Sequence, residues 1–292
     1  MKSFAYLVNP LTIEELKDSW LPARILPEFL FKVIFKGPKP IKVSHGFLIL
    51  CPLLAKPPAK LEEEFILGQI IQAGRIAEGL GAKILGLSGY ASLITDAHNR
   101  LAKNLKIPVT SGNSYASWSV FEAIYRLAKA KDIDLKKSRL AIIGAANSIG
   151  SLCARKLSSH VNNITIFDNE TDKIELLREA ILELNPIAVI IAEDERRAIE
   201  NADIVVHIKA EGPLAEVKHN QDTLTIKAGL VKSPEGKIIS SWLAEVMLLA
   251  LEERFVNYSL LGQANNLDKL EEIADIAARQ GFEVWVPEAP LQ

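Results

Sequence analysis

Short apolar runs alternate with longer amphipathic stretches along the first part of the chain. We predict strands from the apolar runs and helices from stretches in which apolar residues recur every three or four positions. The predicted elements are, in order, a strand over Ile41–Leu50, a helix over Ala59–Leu80, a strand over Ile84–Leu87, a helix over Ala91–Asn104 and a strand over Ile107–Thr110. Because alternating strands and helices are typical of a parallel sheet, we expect residues 1–118 to form an N-terminal α/β domain that binds substrate.

A helix predicted over Tyr115–Ala130 leads into a second series of alternating elements. Its predicted strands are Leu140–Ile143, Ile164–Phe167, Ala188–Ile191, Ile204–Ile208 and a weaker one over Leu224–Ile226, and its helices are Ile149–Ser158 and Asp172–Leu184. We expect residues 119–237 to form this second α/β domain. The alternation stops at Ile238, and residues 238–292 are predicted to form helices, Ser241–Phe255 and Leu267–Arg279, that pack back on the first domain.

A glycine-containing turn, Gly144 to Gly150, joins the strand Leu140–Ile143 to its helix. Gly144 lets the chain reverse without a Cβ, and Gly150 lets helix and strand pack closely, while the helix N-terminus offers N–H groups to a pyrophosphate. Asn147 replaces the usual middle glycine, and we expect it to take the left-handed backbone that Asn tolerates. The predicted cofactor contacts in the turn are Gly144, Ala145, Ala146, Asn147, Ser148, Ile149 and Gly150.

Asp168 ends the next strand, where a carboxylate can accept hydrogen bonds from the ribose hydroxyls of a dinucleotide. The alternative is that Asp168 only caps the helix that follows. A 2′-phosphate would meet this negative charge, so NAD is favoured over NADP, although Arg155 and Lys156 could offset the preference. The second domain is therefore predicted to be a Rossmann-type doubly wound parallel sheet that binds NAD, with NADP as the alternative.

Composition narrows the choice of function. A chain of 292 residues is long enough for two domains or one large one, and 49% hydrophobic with 24% charged residues is typical of a soluble globular protein. The net charge of -2 gives no electrostatic case for binding nucleic acid or an anionic membrane. We expect a small-molecule substrate as the partner, and a homo-oligomer is left open.

Two cysteines, Cys51 and Cys153, have neither metal-site spacing nor a disulfide framework, which suits a reducing cytoplasm. No metal site is predicted. The apolar run Gly46–Ala55 is far shorter than the roughly 20 residues that span a bilayer. The N-terminal residues turn polar and acidic too early for a signal peptide. The expected location is cytoplasmic.

Polar side chains follow the strand Ile107–Thr110 and open the next helix. Amide N–H groups of Ser111, Gly112 and Ser114 could hold a substrate carboxylate or phosphate, and Asn113 is a candidate catalytic residue. The alternative for these residues is ordinary N-capping by Ser or Asn.

Two further candidates lie later in the second domain. His207, near the end of the strand Ile204–Ile208, has an ordinary pKa suited to acid–base catalysis, and the alternative is a core histidine whose hydrogen bonds are satisfied. Gly229, next to Ala228, is predicted to form a small-residue wall on which a nicotinamide rests.

Several segments in one order give a more specific signal than any single motif. They are LGLSGYASLI, TSGNSYA, AIIGAANSIGSLCARKL, NADIVVHI, AEVMLLALE and LDKLEEIADIAARQGF. Through them the chain, from about Leu48 to Val284, resembles the long-chain acyl-(acyl-carrier-protein) reductases, aldehyde-forming enzymes related in architecture to the shikimate and quinate dehydrogenases. The resemblance implies a nicotinamide-dependent reduction in a cleft between two domains.

The sequence departs from these reductases in three respects. Their attacking cysteine stands at the start of the helix that contains AEVMLLALE, where this chain has Trp242 flanked by Ser241 and Leu243. The thiolate needed for an acyl-enzyme is therefore missing at that position. The reductases prefer NADPH, whereas Asp168 favours NAD, and the stretch from Lys209 to Ser240 is shorter than theirs.

The resemblance also suggests roles for two residues near the first predicted strand. Shikimate dehydrogenases use a lysine in a comparable early loop, which implies a proton-transfer role for Lys56; the alternative is a solvated loop lysine. Cys51 matches a cysteine that the reductases carry at this place, and it is expected to pack as a small hydrophobic residue.

Three functions follow as hypotheses. The first is an NAD(P)-dependent oxidoreductase that acts on a small polar or acidic substrate. The second is a fatty acyl-thioester reductase that forms an aldehyde by direct hydride transfer or with Cys51 as nucleophile. The third is a non-catalytic dinucleotide-binding protein, because fold and activity separate readily.

Overall fold

A computed structural model describes residues 3–8, 38–43, 46–51, 63–87, 97–208, 215–219, 225–259 and 267–286. The chain divides into two compact units, each built from discontinuous segments. The first unit comprises Met1–Gly112 with Glu245–Ala264, and the second comprises Asn113–Ala244 with Asn265–Gln292. No helix among the described residues is both long enough and apolar enough to cross a membrane.

The first unit contains a mostly parallel sheet. Its strands are β1 (Phe4–Val8), β2 (Lys39–Val43), β3 (Gly46–Leu50), β4 (Ile84–Gly86) and β5 (Val109–Thr110), and its helices include α1 (Glu63–Gly79) and α2 (Ala97–Asn104). The strand order is β2-β3-β1-β4-β5, with β2 antiparallel to β3 and the other neighbouring strands parallel. The apolar face of α1 packs on this sheet through residues such as Ile66, Ile70 and Ala73.

The single strand predicted over Ile41–Leu50 is wrong. Val43 of β2 pairs with Gly46 of β3 in an antiparallel register, so the chain reverses between them. The local pattern does not separate the two strands, because only two residues stand between β2 and β3. Strand β1 was not predicted, although its residues Phe4 to Leu7 are all buried, as expected of a strand between two parallel neighbours.

The second unit contains the predicted doubly wound sheet. Its strands are β6 (Leu140–Ile143), β7 (Asn163–Phe167), β8 (Ala188–Ile191), β9 (Ile204–Ile208), β10 (Ala215–His219) and β11 (Thr225–Ala228). The order is β11-β10-β9-β6-β7-β8, and β9, β6, β7 and β8 are parallel. After β8 the chain returns to place β9 beside β6, which creates the strand-order reversal of a Rossmann-type sheet. The predicted fold class is confirmed; the strand predicted over Leu224–Ile226 is β11, and the unpredicted β10 pairs antiparallel with both β9 and β11.

Helices cover both faces of this sheet. They are α3 (Asn113–Ala130), α4 (Ser148–Leu157), α5 (Thr171–Leu184) and α6 (Glu195–Ile199). The first three pack on the face that carries Leu140, Ile142 and Val206. The short helix α6 packs on the opposite face, against Ile143 and Val205. Alternate residues of each strand therefore enter separate cores, because successive side chains of a strand point to opposite faces.

The C-terminal region adds a small sheet and two helices. The sheet has the order β13-β12-β14, with β12 (Leu230–Lys232), β13 (Ile238–Ser240) and β14 (Glu283–Val284), and the helices are α7 (Ser241–Leu251) and α8 (Leu267–Arg279). Residues Glu245–Leu251 of α7 belong to the first unit, as expected for packing back. Helix α8 instead packs on α3 and α4 in the second unit, because its apolar residues Leu270, Ile273 and Ala277 are buried there.

Candidate functional site

The turn after β6 brings backbone atoms unusually close together. Gly144 has a φ of +79°, and a Cβ on it would lie 2.9 Å from the carbonyl oxygen of Ile208. A Cβ on Gly150 would lie only 2.3 Å from the carbonyl oxygen of Gly144. The N–H groups of Gly144 and Ala145 donate to the carbonyl oxygen of Phe167 at 2.9 and 3.2 Å, which fixes the start of the turn against β7. Glycine is required at both positions by these contacts.

Asn147 does not have the left-handed backbone that we predicted. Its φ is -74° and its ψ is 161°, an extended conformation. The side-chain oxygen of Asn147 accepts a 2.8 Å hydrogen bond from the N–H of Gly150, so the residue is the N-cap of α4. Asn is suited to this position because its side chain can satisfy one of the orphan N–H groups of a helix start.

The cap leaves other N–H groups of the first turn of α4 available. The amides of Ser148 and Ile149 have no hydrogen-bond partner among the described residues. Amides in these positions cannot bond within the helix, since the first N–H groups of a helix have no preceding carbonyl in register. Together with the positive end of the helix dipole, they form a site suited to an anionic group such as a diphosphate.

Asp168 faces this turn. One carboxylate oxygen accepts from the N–H of Ala146 at 3.1 Å and the other accepts from the N–H of Asn169 at 2.7 Å. The N-cap of α5 is Glu170, which makes no side-chain capping bond, so Asp168 does not act as the cap of the following helix. The half-buried carboxylate of Asp168 and the glycine turn therefore lie together at the carboxyl ends of β6 and β7.

Lys156 is bound to a residue outside the glycine turn. Its ammonium group forms an ion pair with Glu271 of α8 and lies 5.5 Å from the centre of the Phe121 ring in α3. This places the charge two turns along α4 from the N-terminus, on the side of α3 and α8. The preceding residue, Arg155, is buried, and burial lowers the pKa of its guanidinium group. The expectation that Lys156 offsets the effect of Asp168 is therefore corrected.

His207 is half-buried at the end of β9. It lies opposite Ile143 of β6 and Glu216 of β10, and its Nε2 atom is 3.8 Å from a carboxylate oxygen of Glu195 in α6. With a side chain that is 34% exposed, His207 is not the fully enclosed core histidine of the alternative interpretation.

The start of α3 is tied to the start of α7. The side-chain oxygen of Asn113 accepts from the indole N–H of Trp242 at 3.4 Å, and the carbonyl oxygen of Asn113 accepts from the hydroxyl of Ser117 at 2.7 Å. Asn113 is the first residue of α3 rather than its N-cap. Its side chain therefore bonds a tryptophan instead of capping the helix. Ser114, the next residue, is 1% exposed.

In the first unit, the residues after β5 are held by the C-terminal part of the chain. The hydroxyl of Ser111 donates to the carbonyl oxygen of Ser259, and the N–H of Gly112 lies 3.4 Å from the hydroxyl of Thr110. That hydroxyl also donates to the carboxylate of the fully buried Glu245. Gly112 has a φ of +79°, which a residue with a Cβ rarely adopts.

Gly229, another predicted cofactor contact, is joined to the start of α7 by a hydrogen bond. Gly229 is buried, has a φ of +101°, and accepts a 3.0 Å hydrogen bond at its carbonyl oxygen from the N–H of Ser241. Ser240 caps α7, because its hydroxyl oxygen accepts from the N–H of Leu243 at 3.3 Å. Two adjacent serines before an apolar helix indicate an N-cap, but the sequence does not tell which of them is the cap. Ser241 is therefore not distinguished from Ser240 by the sequence, whereas their hydrogen bonds in the structure differ.

Lys56 and Cys51 are the remaining residues that the sequence analysis considered. Lys56 lies outside the described residues. Cys51, at the end of β3, is completely buried. In the part of the chain that the structure describes, no group of three or more His, Cys, Asp or Glu side chains is arranged to hold a metal ion.

Fold and turn together define a two-unit α/β protein whose second unit is of the Rossmann type. No protein-family model matches the chain. The chain is 21% identical over 290 residues to the long-chain acyl-[acyl-carrier-protein] reductase of Synechococcus elongatus (strain ATCC 33912 / PCC 7942 / FACHB-805), and the match covers 83% of each protein. The resemblance predicted from the sequence is confirmed.

A second relative is much longer than this chain. The chain is 24% identical over 313 residues to Aminotransferase PigE of Serratia sp. (strain ATCC 39006), and the match covers 92% of this chain. It covers only 35% of PigE, so the chain spans about a third of the length of that relative.

The similarities to solved structures are lower in sequence identity. The shikimate 5-dehydrogenase of Listeria monocytogenes, in complex with shikimate and NAD, has a TM-score of 0.38 and 13% identity, with 95% of this chain and 92% of that chain covered. The quinate dehydrogenase of Corynebacterium glutamicum, in complex with NAD, has a TM-score of 0.35 and 13% identity, with 72% and 71% covered. The fold assignment rests on the strand order of the second unit.

Proposed function

We propose that this chain is an NAD(P)-dependent oxidoreductase. The observation that carries the proposal is the meeting of the Gly144–Gly150 turn, the free amides at the start of α4 and the carboxylate of Asp168 at one edge of a Rossmann-type sheet. These are the groups that hold the diphosphate and the adenosine ribose of a dinucleotide in sheets of this kind. A nicotinamide dinucleotide bound there would supply the hydride acceptor or donor.

Each group of the turn has a defined part in such binding. The N–H groups of Ser148 and Ile149 would donate to the diphosphate, and Asp168 would accept from the ribose hydroxyls. The absence of a side chain at Gly150 keeps α4 against the turn, so the amides stay at the carboxyl end of β6. Half-buried His207 and the small-residue wall at Gly229 would lie toward the nicotinamide end.

The charges of the described residues favour NAD over NADP. Asp168 presents a negative charge at the ribose position, where the 2′-phosphate of NADP would be repelled. Of the two cations expected to counter that effect, Lys156 is paired with Glu271 and Arg155 is buried. We therefore propose NAD as the cofactor and a small polar or acidic molecule as the substrate.

Reduction of an acyl thioester is the second candidate. It is supported by the match to the acyl-[acyl-carrier-protein] reductase, which covers 83% of both proteins. Trp242 stands where those enzymes carry the attacking cysteine, and its N–H bonds Asn113. No nucleophile is present at that position to form an acyl-enzyme, and Cys51, the other nucleophile considered, is completely buried. The candidate therefore depends on direct hydride transfer to the thioester.

Titration of the purified protein with NAD and NADP tests the cofactor proposal. We expect NAD to bind more tightly than NADP. In Asp168→Asn the affinity for NAD should fall about tenfold or more, because a hydrogen bond to a charged group contributes about 1.5–3 kcal/mol. The matched control is Asp172→Asn, an exposed carboxylate in the first turn of α5, which should leave both affinities unchanged.

Two results would overturn the proposal. The first is the absence of binding by either dinucleotide at millimolar concentration. The second is an Asp168→Asn variant that binds NAD as well as the wild type does. A panel of alcohols, aldehydes and acyl thioesters then separates the candidates: turnover of thioesters alone would support the second, and cofactor binding with no turnover of any of them would indicate a non-catalytic dinucleotide-binding protein.

A further inference from the structure

Ser241 differs from the other buried serines of the second unit. The hydroxyls of Ser117, Ser119 and Ser158 donate to backbone carbonyl oxygens three or four residues earlier, at 2.7 Å in each case. The side chain of Ser241 is completely buried, and its hydroxyl oxygen has no hydrogen-bond partner among the described residues. A buried hydroxyl without a partner is costly, because it has lost its bonds to water.

The usual structural tasks of a serine at a helix start are already performed by other groups. Ser240 caps α7 by accepting from the N–H of Leu243, and the main-chain N–H of Ser241 is used by the carbonyl oxygen of Gly229. Ser241 is also the first residue of α7, so no preceding helical turn offers its hydroxyl a carbonyl oxygen. Neither the donor nor the acceptor of this hydroxyl is therefore used by the described residues.

The residues that hydrogen bonds and sequence place beside this serine are uncharged, apart from the buried Glu245 one turn along α7, whose negative charge disfavours an anionic ligand. Through its amide, Ser241 is joined to Gly229, the residue predicted to face the nicotinamide. The next residue, Trp242, bonds the side chain of Asn113 at the start of α3. Serine, tryptophan and asparagine side chains carry no charge, so this group suits a neutral oxygen rather than a carboxylate or phosphate.

We propose that the Ser241 hydroxyl is a substrate-binding group that hydrogen-bonds the reacting oxygen of a neutral carbonyl compound or of the corresponding alcohol. This inference rests on the proposed oxidoreductase function. A hydroxyl suits both redox states, because it donates to a carbonyl oxygen and accepts from an alcohol O–H. The contact is a hydrogen bond only: no proton or electron is transferred to Ser241.

The test compares Ser241→Ala with Ser240→Ala, the adjacent serine whose hydroxyl has a structural task. Three quantities are measured: the Tm of the unliganded protein, the Kd for NAD, and the Kd for straight-chain aldehydes and alcohols from butanal and 1-butanol to decanal and 1-decanol. We expect Ser241→Ala to keep or raise the Tm, since an unsatisfied buried group is removed. Its affinity for the aldehydes should fall at least tenfold, and its Kd for NAD should stay within twofold.

Ser240→Ala should give the opposite pattern, with a lower Tm and an aldehyde affinity within twofold of the wild type. The proposal is overturned if Ser241→Ala lowers the Tm as Ser240→Ala does, because the hydroxyl would then have an internal partner. It is also overturned if Ser241→Ala binds the aldehydes normally, or if the wild type binds none of the aldehydes and alcohols. A wild type that binds aldehydes in a Ser241-dependent way but binds neither NAD nor NADP would refute the proposed function and leave the Ser241 contact standing.

Discussion

The indole N–H of Trp242 lies 3.4 Å from the side-chain oxygen of Asn113 and joins the starts of α7 and α3. The two residues are separated by 129 positions in the chain. From the resemblance drawn in the sequence analysis, Trp242 is expected to stand where the acyl-(acyl-carrier-protein) reductases have a nucleophilic cysteine. In this protein the position therefore carries a hydrogen-bond donor that holds two helices together, and not a thiolate.

Removal of this bond should weaken the second unit. Trp242→Phe keeps an aromatic ring and removes the N–H, so we expect the free energy of unfolding in urea to fall by about 0.5–1.5 kcal/mol. Asn113→Ala should have a similar effect. The double variant should lose less than the sum of the two single effects, since both remove the same bond. Fully additive effects in this cycle would show that the two side chains do not interact.

Substitutions of Asn147 should separate helix capping from cofactor binding. Asn147→Ala removes the cap of α4 and should lower the free energy of unfolding by about 1 kcal/mol, whereas Asn147→Ser and Asn147→Asp should preserve it. Asn147→Asp places a negative charge beside the proposed diphosphate position, so its Kd for NAD should rise while its stability stays normal. If Asn147→Asp binds NAD as tightly as Asn147→Ser does, the diphosphate does not lie at this turn.

The hydroxyl of Thr110 should stabilise the first unit through its bond to Glu245. Thr110→Val keeps the shape of the side chain and leaves the buried carboxylate with one donor fewer, so we expect a loss of about 1–3 kcal/mol in the free energy of unfolding. Thr110→Ser retains the hydroxyl and serves as the control, with a much smaller loss. A Thr110→Val protein that is no less stable than Thr110→Ser would show that the bond to Glu245 contributes little to stability.

Burial raises the pKa of the Cys153 thiol, so this cysteine should be unreactive in the folded protein. Mass spectrometry after treatment with iodoacetamide at pH 8 should find Cys153 unmodified, and alkylated once urea is added. In the unfolded chain a thiol ionises near its ordinary pKa of about 8.5. The unfolded state therefore binds fewer protons than the folded state above that pH, and stability falls as the pH rises further.

The effect of Cys153 ionisation on stability can also be measured through the pH dependence of the free energy of unfolding. The fall in the free energy of unfolding between pH 8 and pH 10 should be less steep in Cys153→Ala than in the wild type. Parallel slopes in the two proteins would mean that the thiol ionises equally in the folded and unfolded states.

Much of the second unit could be predicted from local sequence. Strands β6, β8 and β9 have the predicted limits, because each is a short run of mainly apolar, β-branched residues in a parallel sheet. Strand β10, AEVKH, was missed because its charged residues alternate with apolar ones over only five positions. Strand β1 was missed because no preceding turn or helix marked its limits.

The candidate site likewise has parts that local sequence predicts and parts that it does not. The turn from Gly144 to Gly150 is a local structure, and its glycines could be predicted from spacing alone. The position of Asp168 against this turn follows from the pairing of β6 with β7, two consecutive strands. The contact between Asn113 and Trp242 and the unpartnered hydroxyl of Ser241 depend on packing between segments far apart in the chain, and no local pattern encodes such packing.

The carbonyl oxygen of Gly144 fills the space that a β-carbon of residue 150 would occupy, and this affects how the turn can be redesigned. In a randomised library of residues 144–150 screened only for soluble expression, position 150 should return glycine regardless of any cofactor, whereas position 147 should accept every good helix cap. A second screen for dinucleotide capture would then report, by the residues it further rejects, which positions touch the ligand.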